Sequence, residues 1–126
     1  MTMSHVLAVT LGGAVGSGCR YLVTHALSRY DTFPFGTLSV NVLGCFTIGV
    51  LTTYFGQLSD LSPALRLGIL VGFLGGFTTF SSFGMDAIKL LEAQRFYTAG
   101  LYIFGSNLLG LLAIYGGMKC VPGGPQ

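Results

Sequence analysis

The sequence predicts an all-α membrane protein of four transmembrane helices. Three observations lead there: 52% of the 126 residues are hydrophobic against 8% charged, the mean hydropathy is +0.74, and the charges fall between long apolar runs. Uncharged stretches cover residues 1–19, 32–59, 67–85 and 96–118, each near or above the roughly 20 residues that cross a bilayer core. A multi-pass protein of the inner (plasma) membrane follows, with the lipid bilayer as its solvent.

Helix 1 is expected over residues 4–28. No Lys or Arg precedes its apolar run and no small-residue cleavage pattern follows, which favours a retained span over a signal peptide. Pro34 in the link "RYDTFPF" precedes helix 2, expected over 36–56, and Pro63 closes "GQLSDLSP" where helix 3 should start. Helix 3 is expected over 64–92, and "EAQRF" turns the chain into helix 4 over 97–119. Residues 1–120 thus read as a single transmembrane domain, and the aperiodic "VPGGPQ", residues 121–126, as a disordered C-terminal tail. Gly68, Gly72 and Gly76 recur four apart on helix 3, as Gly12 and Gly16 do on helix 1. Such small-residue faces let helix backbones approach in lipid, so these glycines read as packing positions.

Charge and cysteine usage exclude several classes. A net charge of +2 with no basic block argues against nucleic acid. Cys19, Cys45 and Cys120 lack the spacing of a zinc site or a disulfide framework. Four spans place Arg66 and Lys119 on one side of the membrane and Arg29, Lys89 and Arg95 on the other, so the positive-inside rule barely specifies an orientation. Equal insertion both ways would give an antiparallel dual-topology homodimer; alternatively, one residue such as Lys89 fixes a single orientation.

The stretch "GGFTTFSSF", residues 75–83, is unusual inside a span. Gly75 and Gly76 weaken the helix, and the β-branched Thr78 and Thr79 carry hydroxyls that compete for backbone bonds, so helix 3 is expected to break here at membrane depth, near the midplane. Freed carbonyls there need a partner, and a cation held by backbone oxygens is one candidate. Phe80 and Phe83 share a face if the helix resumes. Either they simply pack, or their positive ring edges offer an anion weak contacts beside the hydroxyls of Thr79, Ser81 and Ser82.

Other polar groups fit the same account. Thr37 and Asn41 lie one turn apart on helix 2, and Tyr102 and Ser106 one turn apart on helix 4, so each pair can present donors on one face. Interhelical hydrogen bonding is the alternative for each. Arg20 is the one cation well inside a span, at a pore mouth or snorkelling to the interface. Asp86 and Glu92, near the far end of helix 3, read as interface residues. No nucleophile–base set, carboxylate pair or phosphate loop is present, so no enzyme is expected.

The segments "GGAVGSGCRY", "FPFGTLSVNVLGCFTIG", "LRLGILVGFLGGFTTFSSFG" and "NLLG" together resemble the CrcB/Fluc family of fluoride channels over nearly the whole chain. The resemblance implies a dual-topology homodimer with fluoride pores between subunits and a structural sodium ion on the two-fold axis. By motif position, the backbone carbonyls of Gly75 and Thr78 would hold that sodium. Phe80 and Phe83 would line the fluoride path and Asn41 would donate to the anion. Thr37, Thr79, Ser81, Ser82, Tyr102 and Ser106 would supply further polar groups, and Arg20 would sit at the vestibule. The rivals are a small four-helix proton-coupled multidrug exporter, which needs a cavity carboxylate that helix 1 lacks, and a non-conducting membrane assembly subunit.

Overall fold

The computed structural model of the chain describes residues 2–30 and 32–124. Helix α1 spans Met3–Leu27 and α2 spans Phe35–Gly56. The third span is composite: α3 (Pro63–Leu67), a π-helical segment (Gly68–Phe73), α4 (Leu74–Phe77) and α5 (Phe80–Glu92). Helix α6 (Phe96–Lys119) completes the bundle. Four stretches, Met3–Ala26, Phe35–Gly56, Pro63–Glu92 and Phe96–Lys119, are long and apolar enough to cross a membrane.

Local chemistry sets the helix ends. Ser62 caps α3, its hydroxyl accepting the Leu65 N–H at 3.2 Å, and Pro63 occupies the first turn, where a missing N–H leaves no bond unmade. Arg66 reaches back to the Phe55 carbonyl at the end of α2, tying α3 to α2, and Arg95, just before α6, bonds the Thr32 carbonyl in the first link.

α1 packs against the π segment and α4, and α2 packs against α6. The first seam depends on glycine: a Cβ on Gly12 would lie 2.1 Å from the Gly68 carbonyl oxygen, and one on Gly16 would lie 2.1 Å from the Phe73 carbonyl oxygen. Backbones touch there with nothing between them, as the four-residue glycine spacing predicts. The π segment was not foreseen; it lies along this same contact.

Tyr102 and Val40 are the largest fully buried side chains, while Leu11, Phe80, Tyr97 and Phe104 are among many large apolar side chains left exposed. Such faces suit lipid or another protein chain. Of the tail expected to be disordered, residues 121–124 form a bend and turn in which Val121 is buried and the Pro122 carbonyl accepts from Gln57 Nε2 at 2.9 Å. Residues 125–126 lie outside the described residues.

Candidate functional site

The polar residues gather where the third span loses its helical backbone. Thr78 (φ −86°, ψ 158°) and Thr79 (φ −152°, ψ 112°) are extended, and α5 begins at Phe80. Two non-helical residues release backbone groups that lipid cannot satisfy. Asn41 answers this from α2: its Nδ2 donates to the Thr79 carbonyl at 3.0 Å and its Oδ1 accepts the Thr79 N–H at 2.7 Å. One amide therefore clamps both backbone groups of one residue, each bond worth about 0.5–1.5 kcal/mol net.

The threonine side chains finish the local wiring. Thr79 Oγ1 caps α5 by accepting the Ser82 N–H at 3.1 Å, and donates to Ser82 Oγ at 3.0 Å; Ser81 Oγ lies 3.3 Å away. Thr78 Oγ1 bonds the Leu74 carbonyl at 2.9 Å, and its methyl fits over Gly44, where a Cβ would lie 2.2 Å from it. Half-buried Arg20 donates from Nη1 to the Thr78 carbonyl at 3.2 Å. The guanidinium thus sits at the interruption itself.

Beside this wiring opens a cleft of about 440 Å³, lined by Asn41, Gly75, Thr79, Phe80, Phe83 and Ser106 among others. Ser106 Oγ is buried and has no hydrogen-bond partner. A buried hydroxyl left unmade costs about 1–3 kcal/mol, so a partner from outside this chain is expected there. Phe80 and Phe83 stand 5.6 Å apart between ring centroids at 35°, but Phe80 is 81% exposed. The cleft is therefore open on the side of the Phe80 ring.

A second polar cluster lies further along α5. Thr37 Oγ1 donates to Asp86 Oδ2 at 2.6 Å, and the fully buried Tyr102 hydroxyl reaches the same oxygen at 3.4 Å. Rings connect the two clusters, with Phe83 5.2 Å from Tyr102 and Tyr102 edge-on to Phe33 at 5.6 Å. Asp86, expected at the interface, is half-buried here and accepts the hydroxyls of two residues expected to face an anion. The available signal was its place one turn after Phe83, since an ionisable group inside a span is a site candidate by default.

The resemblance would make the carbonyls of Gly75 and Thr78 cation ligands, and the Thr78 carbonyl here accepts from Arg20 Nη1. The Thr79 N–H, the regular helical partner of the Gly75 carbonyl, goes to Asn41 instead, and a Cβ on Gly75 would meet nothing within 4 Å. Hard carbonyl oxygens suit a cation such as sodium in donor type. No group of three or more His, Cys, Asp or Glu that could hold a metal occurs among the described residues.

Four spans, the third interrupted beside an open and mainly apolar cleft, define a multi-pass membrane protein. Residues 7–118 match the family described as CrcB-like protein, Camphor Resistance (CrcB). Three relatives bear the name fluoride-specific ion channel FluC. That of Rhizobium johnstonii is 45% identical, covering 92% of this chain and 94% of the relative. That of Geobacter sulfurreducens is 43% identical over 92% and 95%, and that of Maridesulfovibrio salexigens 41% over 92% and 94%. The chain belongs to the CrcB family.

Proposed function

We propose that the chain is the subunit of a fluoride-selective passive channel that lets cytoplasmic fluoride out of the cell. The observation that carries this reading is the buried, unpartnered hydroxyl of Ser106 in a cleft shared with Phe80, Phe83 and Asn41. Hydroxyl and amide donors with aromatic ring edges attract an anion without a full charge that would trap it. The names of the relatives point the same way.

The exposure of Phe80 supports a homodimer in which a second copy closes the cleft. Near-equal charge on the two sides supports an antiparallel, dual-topology arrangement. In that assembly the carbonyls of Gly75 and Thr78 from both copies would hold a structural sodium ion, the Thr78 oxygen being shared with Arg20 Nη1, which bonds it in the single chain, or released by it. The third span would then break near the membrane midplane. Impermeant thiol reagents should reach exposed Cys120 from both sides of intact vesicles; labelling from one side alone contradicts dual topology.

Neutral HF crosses membranes from acidic surroundings and dissociates in a near-neutral cytoplasm, leaving an anion that lipid retains. A membrane potential drives that anion outward by about 2.3 kcal/mol per charge per 100 mV, so a passive path suffices. Along it, the Asn41, Thr37 and Tyr102 donors must be shared with or released from Thr79 and Asp86 as the ion passes. A narrow passage lined by donors replaces fluoride's water better than that of larger chloride. Asp86 does not line this cleft, and its Oδ2 already accepts from Thr37 and Tyr102, whereas a proton-coupled exporter needs a carboxylate in the substrate cavity itself. Purified protein in liposomes should release fluoride in response to voltage, with little chloride and no drive from a sodium gradient. Impermeability to fluoride contradicts the reading; uptake driven by sodium makes the protein a cotransporter.

A further inference from the structure

The close glycine contacts of this chain are of two kinds. At Gly12, Gly16, Gly49 and Gly117 an added Cβ would lie 2.1 to 2.3 Å from a carbonyl oxygen of a neighbouring segment, so backbone meets backbone. At Gly44 it would lie 2.2 Å from the methyl of Thr78, so backbone meets a side chain. Gly44 is buried on α2, three residues after Asn41, and it lines the same cleft as Asn41, Thr78 and Thr79. The Thr78 methyl is not free to turn away. Thr78 Oγ1 donates to the Leu74 carbonyl at 2.9 Å, the oxygen that also accepts the Thr78 N–H at 2.9 Å, and rotation to another staggered well would lose the hydroxyl bond.

Resting on the channel reading above, we propose that Gly44 is a positioning residue: its bare Cα, seated against the Thr78 methyl, sets the spacing at which Asn41 reaches both backbone groups of Thr79, and with it the width that tells fluoride from chloride. Two carbons in contact stand about 3.5–4.0 Å apart, so a methyl on Gly44 requires α2 and Thr78 to part by more than about 1 Å. Asn41 bonds the Thr79 carbonyl and N–H at 3.0 and 2.7 Å. Such bonds weaken beyond about 3.2 Å, so the same movement releases the amide from at least one partner. A passage that discriminates by its narrowness is then wider beside a loosened donor. Gly44 permits the approach, Thr78 limits it, and Asn41 depends on it.

A double-mutant cycle in liposomes tests this, read as the ratio of fluoride to chloride efflux, which does not depend on how much protein has folded. Gly56→Ala, in the same helix but with nothing within 4 Å of its added Cβ, is the control. Gly44→Ala should lower the ratio about tenfold and speed hydrogen exchange at the Thr79 amide by a similar factor. In a Thr78→Ser background, which lacks the methyl and keeps the hydroxyl, the same change should alter each by less than about twofold. An equal loss in both backgrounds overturns the proposal, as does a wild-type ratio or unchanged Thr79 exchange in Gly44→Ala. If Gly44→Ala alone yields no folded protein, recovery on adding Thr78→Ser supports the contact and continued failure overturns it. Each of these results leaves the channel reading intact, whereas unmutated protein that passes no fluoride overturns both.

Discussion

The seam between α1 and the third span is built from the opposite materials to the cleft between α2, α5 and α6. In the seam, glycines bring carbonyls within van der Waals reach of the neighbouring backbone, and no space remains. At the cleft, amide and hydroxyl groups bond extended backbone, one hydroxyl stays unpartnered, and about 440 Å³ is open. The lesson is a division of labour along one span. Its α1-facing side anchors the helix by backbone contact, which frees the other side to carry irregular backbone and polar groups.

Breaking the seam should have the largest effect. Gly16→Val would drive a side chain into the Phe73 carbonyl, and because both partners are backbone, relief requires the helices to separate. A loss of about 3 kcal/mol or more is expected, seen as failure to recover monodisperse protein in detergent. Normal yield and thermal stability would show that the seam yields easily.

Asn41→Asp should come next, and it acts on the cleft. The carboxylate keeps the acceptor for the Thr79 N–H but loses the donor to the Thr79 carbonyl and adds a negative charge to an anion's path. Fluoride flux should fall about a hundredfold, which corresponds to about 2.7 kcal/mol, with a smaller stability loss. Wild-type flux would remove Asn41 from the path.

Gly75→Val sharpens the contrast between the two glycine environments. Unlike Gly16, Gly75 meets nothing within 4 Å, so the single chain should tolerate valine with a cost of about 1 kcal/mol or less. A second copy seated on this face would not. The expected outcome is folded protein that no longer dimerises, read by cross-linking in membranes; intact dimers would move the interface elsewhere.

Much of this was legible in the sequence, for identifiable reasons. The four spans follow from the length of the apolar runs, and Pro34 and Pro63 mark helix starts within about one residue because proline fits only a first turn. The glycine seam follows from spacing on a helix face. The π-helical segment at Gly68–Phe73 was not legible, because "GILVGF" reads as ordinary apolar helix. The partners of the polar residues were hidden for another reason. Asn41 and Thr79 are 38 positions apart, and Thr37 and Asp86 are 49 apart, so residue type shows a donor but not what it meets. That is why Asn41 could be read either as a donor to an anion or as an interhelical hydrogen-bonding group, and why the two hydroxyls that meet Asp86 were not foreseen.

The most direct test of the account is fluoride efflux from liposomes holding Phe80→Ile, measured beside wild type at matched protein density. Phe80 is 81% exposed in the single chain, so isoleucine should leave each subunit folded and keep apolar bulk while removing the positive ring edge. The account predicts intact dimers whose fluoride flux is about tenfold or more below wild type, a loss of roughly 1.4 kcal/mol or more at the transit barrier. Intact dimers with undiminished flux would contradict it, and would make the ring a packing residue with the anion path elsewhere.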